Sequence, residues 1–467
     1  MSQQNLESVL KTAGSPVSLL RNSQIGPYAF PVVRPEFTNW RDEQRAWRQT
    51  CALFDQSHHM TDLYVKGPDA LKLFTDLGVN SVRTFKVDQA KQFVACNPDG
   101  FVIGDAILFY LAENRFNLVG RPPAHNWVQY HAESGRYQVK VERDERSAVN
   151  LGRRRTFRFQ IQGPHALAVM QKVTGAPVPE IRFFNIGHVT IAGRRIPALR
   201  HGMVGQPGWE MWGPWEDGDA VRDALLDAGQ EFGIRQVGSR AYPTSCLESG
   251  WIPSPLPAVY TGAAMQPYRE WLTDRSYEAM ASLGGSFVSG DIADYYLTPW
   301  DLGYGPLVKF DHDFVGRAAL EAMAGRTHRQ KVTLVWNGDD VARAFASLSA
   351  PGDAAKDAAK YIDMPLANYA TLPFDTVLAA GRSVGLSTYT GYNYNERAWI
   401  SLGILDAAHA STGGEVTVVW GEEGRGSSKP TVERHSQIEI RATVAPAPIS
   451  AVAREGYRPN ALAQDNA

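Results

Sequence analysis

Two adjacent histidines, His58 and His59, stand in Leu53-Phe-Asp-Gln-Ser-His-His-Met-Thr-Asp-Leu-Tyr-Val-Lys-Gly-Pro-Asp-Ala-Leu71, at a polar corner between two stretches that read as strands. Side chains on extended backbone alternate in direction, so the pair cannot enter one core together, and one imidazole is expected to face a cleft. Taken alone, His59 is more often a hydrogen-bonded structural histidine than a catalyst. Tyr242 lies in Gly238-Ser-Arg-Ala-Tyr-Pro-Thr-Ser-Cys-Leu-Glu-Ser-Gly-Trp-Ile-Pro253. A tyrosine beside a proline is by default a turn or packing residue. Arg121, at a strand end before Pro122-Pro123, can grip a carboxylate through two parallel N–H donors or simply lie in solvent. Asp105 falls inside the strand-like run Val102–Tyr110.

Other chemistries lack their signatures. His58-His59 has no second histidine at i+4 and no carboxylate partner, so no metal is expected. Neither a G-x-G-x-x-G loop, a P-loop nor a G-x-S-x-G nucleophile elbow occurs, which lowers the nicotinamide-redox, kinase and serine-hydrolase readings. Cys51, Cys96 and Cys246 are three, at long spacing, offering neither a disulfide framework nor a Cys-x-x-Cys site. Together with a polar N-terminus that lacks a signal-like apolar core, this points to the cytoplasm. No apolar run reaches the 18 or so residues of a membrane span. With 47 basic and 49 acidic residues the net charge is −2, so no nucleic-acid partner is expected. Arg153-Arg154-Arg155 reads as a solvated loop. Twelve Trp, 18 Tyr and 19 Phe suit either large cores or a pocket for flat ligands.

The elements that must position these residues are short and mixed. A chain of 467 residues holds two or three domains. Residues 1–25 read as an amphipathic helix (Leu6, Val9, Leu10) with an arm, and Tyr28-Ala-Phe-Pro31 as an extended segment. Across 26–325, strand patterns (Val102–Tyr110, Arg115–Arg121, Phe157–Gln162) alternate with helical ones (Asp69–Asp76, Pro123–His131). Gly67-Pro68 and Gly163-Pro164 each close a strand and open a helix, which suggests two related subdomains. From 326 to 445, short strands between Gly-rich turns predict a small β-barrel (Lys331–Trp336, Asp375–Leu378, Ser383–Tyr389, Glu415–Trp420, Gln437–Val444). Ala354–Lys360 reads as an exposed helical insert and 446–467 as a loose tail. The expected class is α+β.

The histidine corner with its Gly-Pro turn, Gly208-Trp-Glu-Met-Trp-Gly213 and Leu247-Glu-Ser-Gly250 resemble the folate-binding fold of the glycine-cleavage T-protein (aminomethyltransferase) superfamily. Within it, the His-His pair is similar to the tetrahydrofolate-dependent aryl O-demethylases that act on vanillate, 3-O-methylgallate and syringate. The similarity runs from about Tyr28 to Arg441. It implies a T-protein-like fold with a C-terminal β-barrel. It also implies His59 at the methoxy oxygen, His58 turned into structure, and Tyr242 hydrogen-bonded to the leaving oxygen. Arg121 would hold the aromatic acid's carboxylate, with Tyr28 and Phe30 walling the ring and Ser286 as a polar neighbour. For the folate it implies Glu210 on the pteridine, whose aminopyrimidine edge matches a carboxylate through two hydrogen bonds. Asp105 would approach the one-carbon-bearing nitrogens, and Gln56, the Val119 backbone, Gln162 and Trp251 would line the site. Two positions depart from the T-protein pattern. Cys246 stands where an arginine is usual before Leu247, and Gly104 stands where an acid precedes the strand aspartate.

The implied reaction moves a methyl group from a methoxylated aromatic acid to N5 of tetrahydrofolate, as in the breakdown of lignin-derived aromatics. An aryl ether is a poor methyl donor, so charge growing on its oxygen must be stabilised in the transition state. Partners are then two small molecules, with no membrane and no obligatory protein. Four other readings stay open: an aminomethyltransferase, a sulfonium demethylase, a non-catalytic folate-binding regulator, or fold similarity without shared function. Phe30, lacking a tyrosine hydroxyl, leans the donor toward syringate.

Overall fold

The computed structural model describes residues 4–150, 152–253, 255–350, 358–424 and 426–456. The strand Cys51–Asp55 and the strand Thr61–Lys66 flank the histidine corner, and they belong to different sheets. The first sheet has six strands in the order Ile234–Val237, Cys51–Asp55, Thr156–Gln162, Gly208–Pro214, Arg194–Arg200, Ile186–Ile191. Its outermost pair is parallel and the other pairings are antiparallel. The second sheet has five antiparallel strands: Gln89–Cys96, Val102–Ala112, Arg115–Gly120, Thr61–Lys66, Lys140–Asp144. Residues 56–60 therefore cross from one sheet to the other, which holds His59 in the cleft between them.

Each sheet is backed by its own helices. Leu73 and Phe74 of Ala70–Leu77, with Trp127 and Val128 of Pro122–Ala132, pack on Leu63, Phe116 and Leu118. Val169 and Met170 of Ala166–Thr174, with Val221 and Leu225 of Gly218–Gly229, pack on Phe157, Ile161 and Met211. A predominantly antiparallel arrangement with the helices segregated to one face of each sheet is α+β, as expected. The two Gly-Pro turns are built alike. Gly67 and Gly163 sit at φ 143° and 133°, and a Cβ would fall 2.2 Å from the Gln138 carbonyl oxygen and 2.6 Å from that of Thr50. In both turns the glycine carbonyl accepts from the amide three residues on, Ala70 and Ala166.

The C-terminal barrel closes in the order Gln330–Trp336, Ala398–Leu405, Arg382–Asn393, Asp375–Ala379, Glu415–Trp420, Ile438–Pro446. Closure pairs the last strand with the first and leaves no open edge. Ala398–Leu405 escaped the sequence reading because it is buried along almost its whole length. Its run is apolar apart from Ser401 and Gly403 and shows no polar alternation. Among the described residues, no helix is long and apolar enough to cross a membrane.

Four local expectations are corrected. The N-terminal segment forms two helices, Leu6–Ala13 and Pro16–Asn22, split by Gly14 at φ 76° and Pro16. Arg154 is buried, not solvated, because it pairs with Asp62 at 2.9 Å and Asp144 at 3.1 Å. Of the insert expected at Ala354–Lys360, residues 354–357 lie outside the described residues. The rest is not helical: Ala359 bridges to Ser436, and the buried Lys360 pairs with Glu422 at 2.9 Å. The segment after Pro446 is not loose as far as it is described. Ala451–Gly456 is helical, and Ser450 and Ala453 are buried.

Candidate functional site

The histidine corner, the strands Val102–Ala112 and Arg115–Gly120, the loop before Gly208 and the segment 239–253 enclose a cavity of about 320 Å³. A second cavity of about 260 Å³ lies against it, and Phe30, Arg121 and Pro253 line both. The larger one brings together Phe30, Gln56, His59, Asp105, Val119, Arg121, Glu210, Tyr242 and Trp251. Nine of the residues singled out from sequence thus share one wall, and Tyr28 lines the smaller cavity beside them.

His59 and Tyr242 meet edge to face, with ring centroids 4.7 Å apart, and Phe30 lies 4.8 Å from the former and 5.1 Å from the latter. Burial, reinforced by Arg121, pushes the His59 imidazole down to about 3, so it is neutral at any ordinary pH. His58 turns the other way, its Nδ1 2.9 Å from Ser147 Oγ and its ring edge-on to Trp215. Tyr242 Oη accepts from Gln56 Nε2 at 3.2 Å and directs its own proton at Met203 Sδ, 3.6 Å away. A thioether is a weak acceptor, so that phenolic proton is available to a better one. Burial holds the Tyr242 phenol well above its ordinary value.

Arg121 immediately precedes the helix Pro122–Ala132, makes no side-chain cap to it, and stands over the Tyr28 ring at 4.2 Å. The Tyr28 hydroxyl donates to the His59 carbonyl, which ties the extended N-terminal segment to the corner. Asp105 Oδ2 accepts from Gln92, from Tyr304 Oη at 2.8 Å and from Trp251 Nε1 at 3.2 Å. Burial nonetheless raises its pKa. Glu210 is also pushed up by burial, opposed by the Arg158 guanidinium bonded to its Oε1. Gln56 Oε1 is buried without a hydrogen-bond partner. An acceptor left bare beside a carboxylate suits a flat heterocycle rich in N–H donors.

Two sequence expectations sit elsewhere. Ser286 does not line either cavity. Its Oγ donates to the Val419 carbonyl at 2.7 Å and accepts from Thr376 N at 2.9 Å, stitching residues 284–287 to the barrel. Gln162 lies one layer back: its Oε1 accepts from Met203 N at 2.8 Å and so positions the loop that carries Met203. Gln92, His201, Met203, Tyr304 and Lys331 line the larger cavity, and Tyr389 the smaller, without having been singled out. Apart from His201 and Met203, which share the loop before Gly208, they come from separate strands and loops. The departures from the T-protein pattern are also explained locally. Cys246 lines the cavity as a thiol that burial pushes up to about 11. Gly104 backs onto the helix Pro122–Ala132, where a Cβ would come within 3.0 Å of Ala124 N.

A cleft between a mixed sheet and an antiparallel one, with a barrel appended, is the frame that comparison with known proteins recovers. Residues 22–254 match the GCVT N-terminal domain, and the chain belongs to the GCVT (aminomethyltransferase) family. It is 49% identical over 454 residues to syringate O-demethylase of Sphingobium sp. (strain NBRC 103272 / SYK-6), covering 97% of both chains. It is 32% identical over 430 residues to sesamin methylene transferase of Sinomonas sp. (strain No.22), covering 89% of this chain and 90% of that one. Aminomethyltransferase T of the Bartonella henselae glycine cleavage system superposes with a TM-score of 0.60 at 19% identity, over 94% of this chain and 96% of that one. That last likeness is one of fold.

Proposed function

We propose that this protein is an O-demethylase that transfers the methyl group of a methoxylated aromatic acid, of the syringate type, to N5 of tetrahydrofolate. The observation that carries the reading is the phenol of Tyr242, which accepts from Gln56 and donates only to a thioether at the wall shared with His59 and Phe30. The 49% identity to syringate O-demethylase over nearly the whole chain supports it.

Tetrahydrofolate, bound in the larger cavity, supplies an amine nucleophile as methyl acceptor. Gln56 and Glu210 would hold its heterocycle, Asp105 would approach its one-carbon-bearing nitrogens, and Trp251, 36% exposed, would flank the part nearer the open side. Arg121 would take the carboxylate of the aromatic acid, with Tyr28 and Phe30 against the ring.

The side chains then answer the main difficulty, the phenolate leaving group. Tyr242 would release Met203 and donate to the ether oxygen as charge grows there. Its proton would stay with it, because burial makes it a weaker acid than an ordinary phenol. As the ether C–O bond breaks and the N5–CH3 bond forms, the proton that N5 loses would pass to the departing oxygen, and the product leaves as a phenol. Neutral His59 would add a second donor, not a general acid, since it carries no spare proton near neutrality. The aromatic walls exclude water and strengthen both bonds.

The test is to incubate the protein under argon with tetrahydrofolate and, separately, syringate, vanillate and 3-O-methylgallate, reading 5-methyltetrahydrofolate by mass. Methyl transfer from one of them supports the reaction and ranks the donors. Folate binding without product from any of the three would sink it.

A further inference from the structure

Lys331 begins the barrel, yet its side chain serves the cleft. Its neighbours Val332, Leu334 and Trp336 belong to the barrel core, and alternation along the strand Gln330–Trp336 turns Lys331 outward into the wall of the larger cavity. Among the described residues its Nζ makes no hydrogen bond and no close ion pair, and only the longer-range attraction of Asp105 reaches it. Gly303, at φ 80°, makes room for it: a Cβ there would fall 3.3 Å from Nζ and 3.2 Å from Cε. The charge facing it is Asp105, and the carboxylate Oδ2 already receives three side-chain donors. Burial lowers the ammonium to about 8 against that attraction. A desolvated cation without a partner, facing a cavity, is costly unless a ligand supplies the anion.

The cavity has two cationic side chains in its wall, Arg121 and Lys331, on different elements. Arg121 is shared with the smaller cavity and stacks on Tyr28. Lys331 stands with Asp105 and Tyr304, and that part of the wall also carries Trp251, which is 36% exposed. We propose that Lys331 recognises the anionic tail of the acceptor, its Nζ donating to a carboxylate of the folate's glutamyl group, while Arg121 keeps the carboxylate of the donor. This rests on the tetrahydrofolate reading above, and it assigns the two carboxylated ligands to two separate cations.

The test compares wild type with Lys331→Gln and Lys331→Arg, using tetrahydrofolate and the tailless 6-methyltetrahydropterin as acceptors. Both Kd, by calorimetry, and KM are read. For Lys331→Gln, tetrahydrofolate Kd and KM should rise about tenfold, a loss in keeping with one charge-assisted bond at a partly open site. Its kcat, its KM for the aromatic acid and its binding of 6-methyltetrahydropterin should stay at wild-type values. Lys331→Arg should recover most of the loss. Equal loss with both acceptors would overturn the assignment and make Lys331 a support for Asp105. A rise confined to the aromatic acid's KM, or no change at all, would overturn it too. Removing an unpaired ammonium does not threaten folding, and an undiminished melting temperature checks this. If the wild type binds tetrahydrofolate but demethylates nothing, the methyl-transfer reading fails while the Kd comparison still decides the role of Lys331.

Discussion

The hydroxyl of Tyr242 and the imidazole of His59 are asked to stabilise the same oxygen, and their chemistry separates their contributions. Tyr242→Phe keeps the ring contacts with Phe30, Phe54 and His59 and removes only the donor. His59→Ala also removes packing. Each substitution should lower kcat by roughly 10²–10³-fold, the loss typical of one donor to a developing oxyanion, read under saturating acceptor, and wild-type turnover from either variant would remove that residue from the mechanism. Because His59 acts here as a neutral donor, His59→Gln should recover part of the loss. The pH dependence follows from the direction of its shift. A histidine lowered to about 3 is fully neutral from pH 5 to 8, so kcat should show no limb from it there. A limb near 6.5 that vanishes in His59→Gln would mean the imidazole titrates and the donor assignment is wrong.

Among elements, the segment after the barrel is the one whose role the composition concealed. Pro448 and Ala453 line the larger cavity, held there by a close approach at Gly205. At φ 77° this glycine is in the left-handed region, and a Cβ would lie 2.3 Å from the Ala453 Cα. Gly205→Ala must therefore push the helix Ala451–Gly456 off its seat. The expected cost is about 1–3 kcal/mol, with a raised KM for tetrahydrofolate and faster proteolysis of the C-terminal segment. Shortening the chain to end at Pro446 should raise the same KM. If both variants bind tetrahydrofolate normally, the segment covers the cavity without shaping it. An Ala- and Pro-rich stretch reads as loose because its packing partner is a loop more than 200 residues earlier in the chain.

Across the whole molecule, a buried ionic chain fastens the sheets that form the cleft. Asp62 of the second sheet pairs with Arg158 of the first at 3.0 Å and with Arg154 at 2.9 Å, while Arg158 also grips Glu210. All four side chains are buried. Removing one member strands charges that cannot reach water. Arg158→Met should therefore cost about 3–5 kcal/mol, seen as a lower denaturation midpoint at unchanged slope. Glu210, without its cation, should hold its proton to a higher pH and bind the acceptor less well. A stability change under 1 kcal/mol would mean the sheets are joined by apolar packing alone.

Much of this architecture can be read from local pattern. The histidine corner, the Gly-Pro turns, the strands flanking Arg121 and most barrel strands follow from periodicity and turn chemistry, which act over a few residues and leave their mark in order. The motif residues His59, Tyr242, Arg121, Asp105 and Glu210 were legible because a resemblance singled them out, and they converge on one cavity. Met203, Tyr304 and Lys331 were not, since nothing in their own neighbourhoods distinguishes them from ordinary loop and strand residues. Ser286, expected at the site, is spent on the barrel instead. Local sequence sets which backbone forms where. Which side chains finally face one another across the cleft depends on how two sheets, a barrel and a C-terminal segment pack, and burial and pairing energies choose that over distances no local pattern records.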